Sequence, residues 1–123
     1  MAKMLVVDDD LNFGELLRSL LAEVGHDVVL ATDGAQAVEQ IRVEKFDVLI
    51  LDLIMPKKDG LEVLIDMRQR HQDLQVIAMS GGGYGSAADY LSWAKTLGVR
   101  ETLAKPFSRD ELLVAIEKCL TQQ

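Results

Sequence analysis

Short apolar runs alternate along this chain with stretches in which apolar residues recur at three- and four-residue steps. Met4 to Val7, Val28 to Ala31, Val48 to Leu51 and Val76 to Met79 read as strands, with a weaker fifth at Thr102 to Ala104. The runs at Met4, Val48 and Val76 are apolar at consecutive positions, as expected of parallel strands covered on both faces. The fifth is interrupted by Arg100, Glu101 and Thr102 and reads as an edge strand. Between the runs, Phe13, Leu16, Leu17, Leu20, Leu21 and Val24 form a helical stripe, and Ala37, Val38 and Ile41 a shorter one. Leu61, Leu64 and Ile65 continue the pattern, then Ala87, Leu91 and Ala94, then Leu112, Leu113, Ile116, Cys119 and Leu120. Gly25 and Gly98 stand where helices stop, and Asp10, Asp59 and Ser108 where N-caps belong.

Strict alternation with short connections predicts an α/β fold: a doubly wound (βα)5 flavodoxin-like sandwich, with helices on both faces of a parallel sheet joined by right-handed crossovers. Two doubly wound strand orders are common, and five strands favour 2-1-3-4-5. Ligands then bind outside the carboxyl ends of the strands, where the first and third are neighbours. Polar groups terminate the apolar runs there: Asp8 and Asp9 after the first, Asp52 after the third, Ser80 after the fourth, and Lys105 before Pro106 after the fifth.

Each residue by itself has an ordinary explanation. A lone aspartate at a strand end is most often a helix cap, a lone lysine a solvated one, a lone serine part of a turn. Their coincidence at four strand ends of one sheet is what singles them out. Three carboxylates brought together raise one another's pKa unless a cation intervenes, and an open all-oxygen site suits Mg²⁺. Carboxylate, metal, ammonium and hydroxyl around one point are also what phosphoryl transfer requires.

Composition narrows the rest. The chain has 123 residues, room for one domain over 1–123, and its 13 basic against 20 acidic residues give a net charge of -7. That balance disfavours nucleic acid and anionic membranes as partners, and no basic patch offsets it. No apolar stretch approaches the roughly 18 residues of a membrane span, and the Met4 to Val7 run is too short for a signal peptide, so a cytoplasmic location is expected. Cys119 is the only cysteine and, with His26 and His71, falls short of a structural zinc set.

Val6-Val7-Asp8-Asp9-Asp10, Leu51-Asp52-Leu53-Ile54-Met55-Pro56 followed by Asp59-Gly60, Met79-Ser80-Gly81, and Lys105-Pro106-Phe107 together resemble the receiver domain of two-component response regulators. The resemblance covers essentially the whole chain. It implies that Asp52 accepts a phosphoryl group from a phosphohistidine of a sensor histidine kinase or phosphotransfer protein. It implies that Asp9, Asp52 and the backbone carbonyl of Ile54 ligate Mg²⁺, with Asp8 acting through water. Ser80 and the amide of Gly81 would bind phosphoryl oxygens, and Lys105 would pair with one of them. In this family the Lys-Pro peptide is often cis. The expected protein is a stand-alone phosphoacceptor that signals to another protein by changing surface and loses its phosphoryl group by autodephosphorylation. It is an enzyme only towards itself.

Two features depart from the family pattern. Position 102, three residues before the lysine and usually Tyr or Phe, is Thr102. The segment Gly81-Gly82-Gly83-Tyr84-Gly85 is unusually glycine-rich. Without the aromatic, the signal is expected to leave through the Gly81 to Ser86 loop and the helix carrying Tyr90 and Trp93, a face open to a downstream protein. Gly83 to Ala88 also fits G-x-G-x-x-A, but it follows the fourth strand of a sheet too small for a dinucleotide fold. A haloacid-dehalogenase-like phosphohydrolase with Asp8 as nucleophile is the enzyme alternative; no late acidic pair or cap domain supports it. A non-phosphorylated interaction module or a flavin carrier are the others.

Overall fold

Five parallel strands in the order β2-β1-β3-β4-β5 alternate in sequence with five helices in a computed structural model of the chain. The structure describes residues 1–55, 59–69, 74–81 and 87–121, with 87–91 described by backbone only. Pro56, His71 and the Gly82 to Ser86 segment lie outside the described residues, as do the side chains of Ala87, Tyr90 and Leu91. The elements are β1 (Lys3–Val7), α1 (Leu11–Glu23), β2 (Asp27–Ala31), α2 (Gly34–Val43), β3 (Val48–Asp52), α3 (Gly60–Gln69), β4 (Gln75–Gly81), α4 (Ala87–Thr96), β5 (Glu101–Lys105) and α5 (Arg109–Thr121). Both the fold and the strand order are those the hydrophobic pattern predicts.

Strand alternation divides the core into two layers. Leu5, Val7, Leu49, Leu51, Val76 and Ala78 face one side and pack with Ala37 of α2, Val63, Leu64 and Met67 of α3, and Ala94 of α4. Met4, Val6, Val48, Ile50, Ile77 and Met79 face the other and pack with Leu17 and Leu21 of α1 and Leu112, Ala115, Ile116 and Cys119 of α5. All five residues of β3 are buried, which is why that run carries no polar alternation. β5 is an edge strand and only Leu103 within it is buried.

Helix ends follow the local chemistry. Asp10 accepts the Phe13 N–H at 3.2 Å, Asp59 the Glu62 N–H at 3.0 Å, and Asp33 the Gln36 N–H at 2.8 Å. Ser108 and Glu111 exchange bonds at 3.0 and 3.1 Å in a capping box. Gly25 and Gly98 end α1 and α4 at φ 92° and 85°, a backbone that disfavours side chains.

The helical stripes are narrower than the sequence suggests. Leu16, Val24 and Ile65 are exposed. On α1 the buried line is Gly14, Leu17 and Leu21, which leaves Leu16 on the outer flank, and Val24 is the C-cap beyond the last helical turn. His26 is half-buried, and its Nδ1 accepts the Ala2 N–H at 3.2 Å. Burial, then the nearby amino terminus, lowers its pKa.

Candidate phosphoacceptor site

The carboxyl ends of β1, β3, β4 and β5 meet at one rim, and the polar residues that follow their apolar runs gather there. Asp8 follows Val7 directly, its N–H bonded to Ala31 O at 3.1 Å. It is 2% exposed, and its Oδ1 accepts the Asp10 N–H at 2.9 Å, so the turn into α1 and the carboxylate fix each other. Asp52 is the last residue of β3 and 4% exposed, and its Oδ1 accepts the Ile54 N–H at 3.1 Å. Asp9 is exposed beside them.

One carboxylate oxygen from each of Asp8, Asp9 and Asp52 lies within 4.8 Å of the others. Lys105, at the end of β5, reaches across this group: its Nζ is 2.7 Å from Asp8 Oδ2 and 3.4 Å from Asp52 Oδ2. The peptide joining Lys105 to Pro106 is cis. On the far side of the ammonium stands Phe13, with Nζ 4.6 Å from the ring centroid.

Burial is the main influence on Asp52, and with the charge of Asp8 it outweighs the opposing pull of Lys105, pushing the carboxyl up to about 6. For Lys105, burial works to lower the pKa, but the hydrogen bond to Asp8 and the charges of Asp52 and Asp8 win and the net shift is upward. One ammonium is thus shared between Asp8 and Asp52, with Asp9 a third acid beside them. Hard oxygen donors with this excess of negative charge fit a divalent cation such as Mg²⁺, and a mostly aqueous coordination shell suits the exposed flank at Asp9.

Ser80 lies inside β4, one residue beyond the apolar run expected for that strand, because the strand extends to Gly81 by pairing with β5. It is fully buried, and its Oγ has no hydrogen-bond partner among the described residues. An unsatisfied buried hydroxyl is costly unless something else completes it. By alternation Ser80 belongs with Val76 and Ala78, and so to the opposite face from Asp8, Asp52 and Lys105. Gly81 ends the strand opposite Lys105.

Thr102 pairs with Ala78 and is half-buried on β5, where it fills less space than the aromatic usual in the resembled family. Trp93, on α4, is 55% exposed, while Ala94 beside it is buried. The predicted signalling face therefore has its tryptophan on the outside; Tyr90, its second aromatic, lies among the side chains outside the described residues.

Two residues matter more than the sequence alone suggests. Gly60 donates its N–H to Leu53 O at 3.0 Å, and its Cα packs against the end of β3. Phe13 stands over Lys105 with Phe107 against it, although its sequence signal is that of an ordinary core position. Gly60 belongs to the motif that carries the family resemblance, whereas only spatial proximity distinguishes Phe13.

Known proteins are similar to this chain in sequence and in fold. The sequence matches the family model described as the response regulator receiver domain over residues 4–117. It is 39% identical over 120 residues to the transcriptional regulatory protein CpxR of Escherichia coli K12, covering 98% of this chain and 50% of that protein. It is 36% identical over 118 residues to the response regulator MprA of Mycobacterium leprae, covering 96% of this chain and 50% of that one. The chain thus spans about half the length of these curated relatives.

Among solved structures, the receiver domain of the Francisella response regulator 1452 superposes with a TM-score of 0.87 at 30% identity, covering 100% of both chains. The response regulator TrrA of Thermotoga maritima, solved in complex with Mg²⁺-BeF, gives a TM-score of 0.82 at 34% identity, covering 97% of this chain and 99% of that one. With the motifs, the fold and the acidic rim in agreement, the chain belongs to the response regulator receiver domain family.

Proposed function

We propose that this receiver accepts a phosphoryl group on Asp52 and passes the resulting change of surface to another protein. The observation that carries the reading is the buried Asp52 carboxylate, set between Asp8 and the ammonium of Lys105 at the carboxyl rim of the sheet. Receiver domains are phosphoacceptors and not conventional enzymes, and they bind Mg²⁺ at an acidic pocket.

In the proposed reaction an Asp52 Oδ attacks the phosphorus of a phosphohistidine on a sensor histidine kinase or phosphotransfer protein. The P–N bond breaks, the imidazole leaves with its electron pair and takes a proton from solvent, and an acyl phosphate forms. Lys105 pairs with a phosphoryl oxygen as it gives up Asp52, and the orphaned Ser80 hydroxyl and the Gly81 amide bind the others. Asp9, Asp52 and the Ile54 carbonyl would hold Mg²⁺, with Asp8 acting through water; the ion supplies positive charge against the phosphoryl oxygens. Autodephosphorylation is attack of water on the same phosphorus, returning the Asp52 carboxylate and inorganic phosphate.

The downstream partner is a protein that reads α4, the helix whose sequence includes Tyr90 and Trp93, in keeping with the chain's net charge of -7, which disfavours nucleic acid and anionic membrane. No helix among the described residues is long and apolar enough to cross a membrane. Cytoplasmic, stand-alone action of a single domain over 1–123 is part of the proposal, and the mass of the native protein in its source cells tests it.

Mass spectrometry after incubation with Mg²⁺ and a small phosphodonor tests the acceptor. The acyl phosphate is expected on Asp52; modification of Asp8 would favour the phosphohydrolase reading instead. Phosphotransfer from purified kinases then identifies the donor.

A further inference from the structure

The Lys105 ammonium has two kinds of neighbour. Asp8 and Asp52 accept hydrogen bonds from it, while the Phe13 ring centroid lies 4.6 Å from Nζ. Phe107, two residues past Lys105, meets the Phe13 ring edge-on, with centroids 5.8 Å apart and planes at 77°. The ring is also tied from behind, since the Phe13 N–H is bound by the Asp10 cap at the start of α1. Both rings are half-buried against the layer formed by α1 and α5.

This geometry makes the aromatic pair more than packing. An ammonium against a ring face is held by the ring quadrupole, most strongly where water is partly excluded, and the Lys105 side chain is only 23% exposed. The carboxylate oxygens are contested, because any other cation or phosphoryl group at the rim draws on the same atoms. Among the described residues, Lys105 is the one cation recorded against the Phe13 ring. Edge-on contact directs the positive rim of one ring at the negative face of the other and so fixes orientation as well as distance.

We propose that Phe13 is a positioning residue: its ring, braced by Phe107, keeps the Lys105 ammonium over the acidic cluster while Asp8 and Asp52 are engaged elsewhere. The consequence for phosphoryl transfer rests on Asp52 being the acceptor; the hold of Phe13 on Lys105 does not.

The test places 4-fluoro-, 3,5-difluoro- and 3,4,5-trifluorophenylalanine singly at position 13 of the full chain. Added fluorine drains the ring face of negative potential while leaving size and apolar character nearly unchanged. Two rates are read: reductive methylation of Lys105 in the metal- and phosphate-free protein, and acyl-phosphate formation on Asp52 with Mg²⁺ and a small phosphodonor. Stepwise faster methylation is expected along the series, with stepwise slower phosphorylation reaching about three- to tenfold for the trifluoro ring. Thermal midpoints should stay together, and Phe13→Tyr should behave as wild type. A methylation rate indifferent to fluorine would overturn the proposal even if phosphorylation changed. If wild type formed no acyl phosphate on Asp52, the functional reading would fail, and the methylation series would still decide whether Phe13 holds Lys105.

Discussion

A β-carbon added to Gly60 would stand 2.3 Å from the backbone oxygen of Asp52 and 2.5 Å from Cα of Leu53. The first residue of α3 therefore lies directly against the end of β3, and the neighbours it would meet are backbone. Nothing there can swing aside as a side chain does.

Gly60→Ala is accordingly expected to cost about 1–3 kcal/mol through forced displacement of backbone, lowering the thermal midpoint by roughly 5–15 °C. It should also slow phosphorylation of the surviving folded protein, because Asp52 is the residue displaced. A midpoint and rate equal to wild type would contradict the contact.

The metal-free protein should lose stability as pH rises past the Asp52 pKa. Burial raises that pKa from its ordinary 3.8 to about 6, so between these values the folded chain keeps a proton that the unfolded chain releases. The contribution is fully present below pH 3.8 and lost as pH climbs through about 6, at most about 3 kcal/mol in all. Asp52→Asn lacks this loss and should be the more stable protein at pH 7. Denaturant titrations at several pH values with chelator present measure it; parallel wild-type and variant curves would refute the shift.

Lys105 is the one cation seen against the three acids among the described residues. Lys105→Met should therefore destabilise the metal-free protein and enlarge the rise in melting midpoint on adding millimolar Mg²⁺. Binding at a hundred times Kd stabilises by about 2.7 kcal/mol. The rise should depend on Asp9 and Asp52 more than on Asp8. If Mg²⁺ left the wild-type midpoint unmoved, the metal assignment would be wrong.

Ser108→Ala removes one half of the capping box that starts α5 and should cost about 1 kcal/mol without altering the phosphorylation rate. Urea denaturation gives the first quantity and phosphate incorporation the second. A large rate change would mean that the start of α5 takes part in the site.

The rim was legible in the sequence because β1, β3 and β4 are buried apolar runs with a polar residue at the end, and position in a parallel sheet converts that into proximity. Asp8 and Asp52 follow from this logic, whereas Lys105 follows from its place at the end of the weaker edge run of β5. The breadth of the α1 stripe was not legible: Leu16 and Val24 have the right spacing, but the line that meets the sheet is Gly14, Leu17 and Leu21, and how a helix rotates on a sheet is set by packing across the whole layer. Phe13 was legible only as a core residue, since the ring's relation to Lys105 joins positions far apart in the chain. The orphaned Ser80 hydroxyl likewise depends on the whole enclosure around β4, which no local pattern reports.

Strand alternation gives Asp8, Asp52 and Lys105 to the layer of α1 and α5, and Ser80 to the layer of α2, α3 and α4. An anion gripped by Lys105 and Ser80 together is a rivet through the top of the sandwich, fastening two cores that otherwise meet only across the sheet. On the proposed reading, holding that anion would load both layers at once, so its arrival would register on either side of the sheet.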